Sequence, residues 1–343
     1  MDLSQNLLII GAGAHVPYGL PTGENLSYLI KDYYGCRLLN SVAEPMNGDI
    51  RLDQINSFRF EFEAIIKQMC KFGPDRDKYF EKQNLDRMVV YVDEFLNSFS
   101  VSSAYTIDSF LSKISLETDM KKRLAFILIG KALITNLILI KKKLNPEGST
   151  KDDWIEHLLM FCIKKETDVY NLPKVITFNY DMTFERVIYN HLCHNYRLKQ
   201  DSSISYVRDL SIRHVYGNIG AFDKVGEVED LSIYKNAVKD LKIIGEDRHI
   251  GEDQLISEQC DEIKLRMKSA TNIYFLGYGF DSANNKLLVR GLDQNWAQGK
   301  KIYSTSIGIS EKDKARIERE LMCPVTHADC TSLELLRDKY PLG

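Results

Sequence analysis

The chain has 343 residues, 44% apolar and 27% charged, an ordinary globular composition that excludes disordered, collagen-like and fibrous classes and leaves room for one large domain or two. With 45 basic and 48 acidic residues the net charge is −3, so no global electrostatic footprint points to sequence-specific nucleic-acid binding. Seven cysteines without a Cys-x-x-Cys pair argue against a structural zinc site, and the opening Met1-Asp2-Leu3-Ser4-Gln5-Asn6 lacks the features of a secretory signal, so no metal and a cytoplasmic location are expected.

Leu7-Leu8-Ile9-Ile10 is a continuous apolar run ending in Gly11-Ala12-Gly13-Ala14, the pattern of a buried parallel strand feeding a glycine turn. Pro21-Thr22 ahead of Glu24, Leu26 and Leu29-Ile30 supplies a helix start with Thr22 as its cap. From Cys36 to Leu172 the periodicity is helical, over 58–72, 78–99, 107–114, 121–144 and 153–165, which predicts an inserted module of domain size. Within it, Leu124 to Ile140 is strongly apolar, yet it is short for a span of about 20 residues and is interrupted by Lys131 and Asn136, so no membrane association is expected. Apolar residues around most of its circumference predict burial on nearly all sides, by the insert's other helices or by a second subunit, and the reading favours a homo-oligomer.

Strand-like runs return at 174–178, 212–216, 272–276, 301–304 and 324–327, alternating with helical stretches over 182–194, 251–268 and 311–321. The fold expected is α/β, a doubly wound, mostly parallel Rossmann-like sheet with a large helical insertion after the first strand-helix unit. Residues 1–35 and 173–343 form the sheet domain in this reading, and 36–172 the insertion.

The turn Gly11-Ala12-Gly13 is a phosphate-cradle candidate, since glycines let backbone N–H groups approach a pyrophosphate. Val16 stands where the dinucleotide fingerprint has its third glycine, and no strand with a ribose-binding acid follows about 20 residues on, which disfavours an ordinary nicotinamide dehydrogenase. A tight turn without a ligand is the other reading of these residues.

Five segments in order carry a resemblance. The run Gly11-Ala12-Gly13-Ala14-His15-Val16-Pro17-Tyr18-Gly19-Leu20-Pro21 resembles the first motif of the sirtuin superfamily. Thr177-Phe178-Asn179-Tyr180-Asp181 resembles its Thr-Gln-Asn-x-Asp motif, and His214-Val215-Tyr216-Gly217-Asn218 its His-Gly segment. Phe275-Leu276-Gly277-Tyr278-Gly279-Phe280 resembles its glycine strand end under the cofactor, and Ala328-Asp329-Cys330-Thr331 its adenine-side turn. Pro21-Thr22-Gly23-Glu24 departs from the Pro-x-Phe-Arg of deacetylases and the zinc ribbon is missing, so protein deacylation is disfavoured.

What remains is similar to the sirtuin-like NAD hydrolases of bacterial anti-phage defence systems. That resemblance implies NAD as substrate, release of nicotinamide, a role in abortive infection, and a HerA-like ATPase or an Argonaute-type protein as partner. It implies a nucleotide pocket lined by Gly11, Ala12, Gly13, His15, Pro21, Thr22, Thr177, Asn179, Gly217, Gly277, Gly279, Asn284, Asp329 and Cys330, with Asn179, Asp181 and a histidine carrying the chemistry; the family's histidine directly precedes the glycine, whereas here Tyr216 precedes Gly217 and the histidine is His214, so both are candidates. A non-catalytic module that senses NAD or ADP-ribose is the alternative.

Cleaving the nicotinamide–ribose bond passes through a cation-like sugar, so the site must hold the ribose and position a water. Asn179 offers donors and an acceptor for both tasks, although an Asn at a strand end also suits a turn or cap. Asp181 is expected to engage the carboxamide or ribose, or to cap the helix that follows. His214 and Tyr216, two apart on a strand, are expected to face one side and divide the roles of base and ribose ligand. An imidazole titrating near 6.5 suits proton transfer, whereas a tyrosine near 10 needs activation. His15 is read as a pyrophosphate contact or a surface loop residue.

Overall fold

The first apolar run is buried at every position as β1 (Asn6–Ile10), because it is flanked on both sides by strands and covered on both faces. The computed structural model describes residues 3, 5–38, 84–144, 151–220, 222, 240–243 and 253–342. The other strands are β2 (Lys174–Thr177), β3 (Ile212–His214), β4 (Asn272–Leu276), β5 (Lys301–Thr305) and β6 (Thr326–Ala328). They form one sheet of order β3-β2-β1-β4-β5-β6, and every neighbouring pair is parallel. The fold is a doubly wound, Rossmann-like α/β sheet whose winding direction reverses between β1 and β4, the switch point at which such sheets open a crevice.

The helices in chain order are α1 (Gly23–Leu38), α2 (Asn84–Ser100), α3 (Ile107–Ile114), α4 (Met120–Leu144), α5 (Trp154–Cys162), α6 (Thr183–Asn195), α7 (Gln200–Arg208), α8 (Asp253–Ser269), α9 (Ser282–Leu288) and α10 (Glu311–Leu321). Strand residues alternate between two cores, as a period of two requires. Leu8, Ile10, Val175 and Leu276 pack with Trp154 and Leu158 of α5 and Phe184 and Ile188 of α6. Leu7, Ile9, Ile176 and Phe275 pack on the opposite face with Met267 of α8, Leu288 of α9 and Leu321 of α10. β6 starts two residues later than its apolar run suggests, because Pro324 has no N–H and that of Val325 donates to Glu318 Oε1 at 3.0 Å.

The chain divides into two compact units, one of Met1–Leu20, Asn145–Val225 and Asp247–Gly343, the other of Pro21–Leu144 and Gly226–Glu246. The helical unit therefore begins directly after β1 and its turn. α1, expected with the sheet, belongs to the helical unit, where the Ile107 N–H at the start of α3 donates to Ser27 Oγ of α1 at 2.6 Å. α5, expected in the insertion, belongs to the sheet unit. The boundaries expected near 35 and 172 thus fall near 20 and 144, and the helical stretch expected over 58–72 lies outside the described residues.

Phe95 and Phe99 of α2, Phe110 of α3 and Phe126 of α4 form the aromatic centre of the helical unit, with ring centroids 5.0 to 6.2 Å apart. α4 is buried by its own chain: Phe126, Ile129, Leu133, Ile134 and Leu137 are all at 2% exposure or less. Lys131 and Asn136 are buried with them, each with an interaction partner. A second subunit is not needed to cover this helix, so its apolar circumference no longer argues for a homo-oligomer. Among the described residues no helix is long and apolar enough to cross a membrane.

Phe95 touches three other aromatic rings and is fully buried. Phe95→Ala should destabilise the helical unit by about 3–5 kcal/mol, read as a lowered midpoint in equilibrium urea unfolding.

Candidate functional site

Since all six strands are parallel, the segments singled out in the sequence leave the sheet at one edge, the carboxyl ends of the strands. At the switch point the turn after β1 and the turn after β4 lie against each other. Gly11 N–H donates to Leu276 O at 3.0 Å, Gly13 N–H to Gly277 O at 2.9 Å, and Ala14 N–H to Gly11 O at 3.0 Å. A Cβ on Gly11 would stand 2.6 Å from Gly277 O, and one on Gly277, where φ is +53°, only 1.8 Å from Ala14 N. The glycines are thus demanded by the crossing of two turns, and those three amides are already engaged. The chain continues from Ala12 to Tyr18 as a single 3-10 segment instead of an α-helix. Gly279, by contrast, faces open space.

His15, Asn179 and Asp181 meet here although 164 and 166 residues separate them in sequence. His15 Nδ1 lies 2.9 Å from Asp181 Oδ1 and 3.1 Å from Oδ2, and 2.9 Å from Asn179 Nδ2. Asp181 Oδ1 also accepts the Thr183 N–H at 2.9 Å, so it is both a turn-forming residue at the entry to α6 and the partner of His15. Asn179 Nδ2 donates to Gly11 O at 3.2 Å, and its own N–H donates to Thr177 Oγ1 at 3.1 Å. All three side chains are buried. Among the described residues, His15 Nε2 and Asn179 Oδ1 meet no hydrogen-bond partner.

The 3-10 segment is pinned by α5. Trp154 stacks on His15 with centroids 6.5 Å apart and donates Nε1–H to Ala14 O at 2.8 Å. Tyr18 donates to Asp153 Oδ1 at 2.6 Å and accepts the Ile155 N–H, and burial together with the Asp153 carboxylate pushes its hydroxyl well above the ordinary phenol range.

His214 and Tyr216 do not share a face, because the strand ends at His214 and the chain turns through Gly217 at φ +73°. His214 faces α6: Nε2 lies 2.5 Å from Glu185 Oε1 and Nδ1 lies 3.1 Å from the Asn179 carbonyl. Both ring nitrogens face oxygens, an arrangement that favours the protonated imidazolium form, which donates to both. Burial works against that charge, but the Glu185 hydrogen bond and charge outweigh it and raise the His214 pKa above its ordinary 6.5. Tyr216 joins the opposite core beside Phe178, at 5.9 Å between rings, and donates to Asn284 Oδ1 of α9 at 2.5 Å.

Asp329 and Cys330 follow β6, about 14 Å across the sheet from β1 at three strand spacings. Asp329 is exposed; Cys330 is buried, which pushes its thiol up. Pro21 and Thr22 belong to the helical unit, where Thr22 Oγ1 accepts the Asn25 N–H at 3.2 Å as the cap of α1. Sequence reasoning missed Glu185, Trp154 and Tyr278. Glu185 and Trp154 read as ordinary first-turn helix residues. Tyr278 is buried beside Phe178 and Phe280, its hydroxyl without a partner among the described residues and its pKa raised by burial. Among the described residues no cluster of three or more His, Cys, Asp or Glu is set to hold a metal ion. Comparison with family models, curated proteins and solved structures finds no match to this chain.

The His214–Glu185 contact has a signed pH dependence. A folded pKa raised above the unfolded value means that the contribution is full below about 6.5 and is lost as pH rises through the folded value. Glu185→Gln should cost about 1.5–3 kcal/mol at pH 6, the range of a hydrogen bond to a charged group, and clearly less at pH 9. Denaturant midpoints at the two pH values check this.

Proposed function

We propose that the protein binds NAD across the carboxyl edge of the sheet and hydrolyses its nicotinamide–ribose bond. The observation that carries the reading is the meeting of Asn179, Asp181 and His15 beside the β1–β4 switch point, with a buried amide oxygen of Asn179 and a buried ring nitrogen of His15, both able to accept, that meet no partner among the described residues. Acceptors of that kind suit ribose hydroxyls and a water, the two things this reaction must position. The location of Asp329 and Cys330 three strands away suits a ligand extended along the edge, with its adenine end over β6. Depletion of NAD in anti-phage defence, in concert with a HerA-like ATPase or an Argonaute-type protein, is the physiological setting we propose, on the sequence resemblance alone.

A second reading, a module that senses NAD or ADP-ribose without cleaving it, is favoured by one observation. His214 has both ring nitrogens engaged, and Tyr216 is engaged with Asn284. Neither of the two groups expected to serve as base on the third strand is poised for that task.

Incubating the purified protein with NAD and measuring free nicotinamide separates the readings. On the favoured one, nicotinamide appears, and Asn179→Ala lowers kcat by about 100-fold or more, the scale of losing one aligned polar group, with an unchanged circular dichroism spectrum. Wild-type turnover by Asn179→Ala would remove the site assignment, and intact NAD bound to an inactive wild-type protein would establish the sensor.

A further inference from the structure

We infer that His15, oriented by Asp181, is the proton acceptor of the reaction proposed above, and that His214 is a positioning residue that holds the Asn179 backbone. The inference rests on the glycohydrolase reading and supplies the base that reading lacks. Two histidines lie next to Asn179, and their hydrogen bonds differ in kind. His214 has both nitrogens engaged with oxygens, the Glu185 carboxylate and the Asn179 carbonyl, which leaves it no nitrogen to turn toward a substrate. His15 uses one nitrogen only.

Asp181 accepts the Thr183 N–H, which suits its ionised form, so the hydrogen on His15 Nδ1 belongs to the Asp181 contact. Asn179 Nδ2 gives one hydrogen to the Gly11 carbonyl and its other competes with Asp181 for His15 Nδ1 at 2.9 Å; the carboxylate, at 2.9 and 3.1 Å the stronger partner for an N–H, sets the inferred tautomer. A carboxylate that fixes the hydrogen on Nδ1 leaves the lone pair on Nε2, the arrangement by which a histidine becomes a directed base. The ring is held in that plane by the Trp154 stack and by Tyr18, edge-on at 5.9 Å. At 2% exposure, with no hydrogen-bond partner for Nε2 among the described residues, the imidazole is screened from bulk water. Nε2 and Asn179 Oδ1 both accept, so what completes the cluster is a donor: a water or a ribose hydroxyl.

In the step itself, the oxygen of water bonds to the ribose C1′ as the bond from C1′ to the nicotinamide nitrogen breaks. The electron pair of the breaking bond neutralises the pyridinium, and the proton of the water passes to His15 Nε2 and then to solvent. The products are ADP-ribose, nicotinamide and one proton.

The discriminating variant is His15→Asn, because its amide nitrogen keeps a donor for Asp181 while the position of Nε2 is emptied. With the wild type releasing nicotinamide, His15→Asn should lower kcat by about 100-fold or more, the scale of a general base, while KM for NAD stays within about threefold. Nitrogen-15 imidazole spectra of the wild type should show hydrogen on Nδ1 but not Nε2 of His15, and on both nitrogens of His214. A folded His15→Asn protein whose kcat stays within about threefold overturns His15 as base and leaves the glycohydrolase intact. Should the variant fail to fold, the spectra decide: hydrogen on Nε2 of His15, or a lone pair on His214, overturns the assignment. A wild type that releases no nicotinamide overturns the parent reading and this inference together, a result distinguishable because no variant is involved.

Discussion

The contact between the turns after β1 and β4 is the constraint on which the rest of the site depends. Gly277 has room for a hydrogen and nothing larger, and Gly13 N–H is bonded to its carbonyl, so each turn is the wall against which the other is set. The close backbone approach that a dinucleotide fingerprint reserves for a pyrophosphate is used here between two protein segments. Fixing the turn fixes Ala14, whose carbonyl receives the Trp154 indole, and with it His15, whose ring lies on that indole. The parallel ladder from β1 to β2 then brings Asn179 and Asp181 to the same place.

Five buried polar side chains, His15, Asp181, Asn179, His214 and Glu185, form one chain of contacts at this edge. Burying such groups costs several kcal/mol each unless they are paired, and most of their hydrogen-bonding atoms are paired within the cluster or with nearby backbone. Among the described residues the atoms that are not are Asn179 Oδ1 and Glu185 Oε2, which accept, and His15 Nε2, which accepts in the tautomer inferred above. A cluster concerned with stability alone would be expected to satisfy them or do without them, and unmet acceptors gathered beside the switch point are the kind of local inconsistency that accompanies a site.

The strands were legible because each is a short apolar run between turn residues, and burial on both faces of a parallel sheet leaves no other sequence signature. α10 was legible to the residue, since Ser310 caps its start and Met322 ends it in a left-handed conformation. Unit boundaries were not, because helical periodicity says that α1 and α5 have an apolar face without saying what covers it. His214 and Tyr216 were placed on one face by a period-two rule that stopped applying where β3 stops. Asn179 and Asp181 were found at a strand end, yet their contact with His15 across more than 160 residues has no local signal at all.

The position of the helical unit in the chain follows from the same geometry. Inserting more than a hundred residues between β1 and β2 costs little in closure entropy, which grows only with the logarithm of loop length, provided the two strands remain paired. The chain leaves the sheet unit at Leu20 and returns at Asn145. Leu20 N–H is bonded to the His15 carbonyl at 3.3 Å, and α5, the first helix after the return, carries the tryptophan that stacks on the His15 ring. Leu20, where the chain leaves the sheet unit, and Trp154, on the first helix after its return, thus both bear on His15, so the long insertion is accommodated around the same residue that the switch-point turn positions.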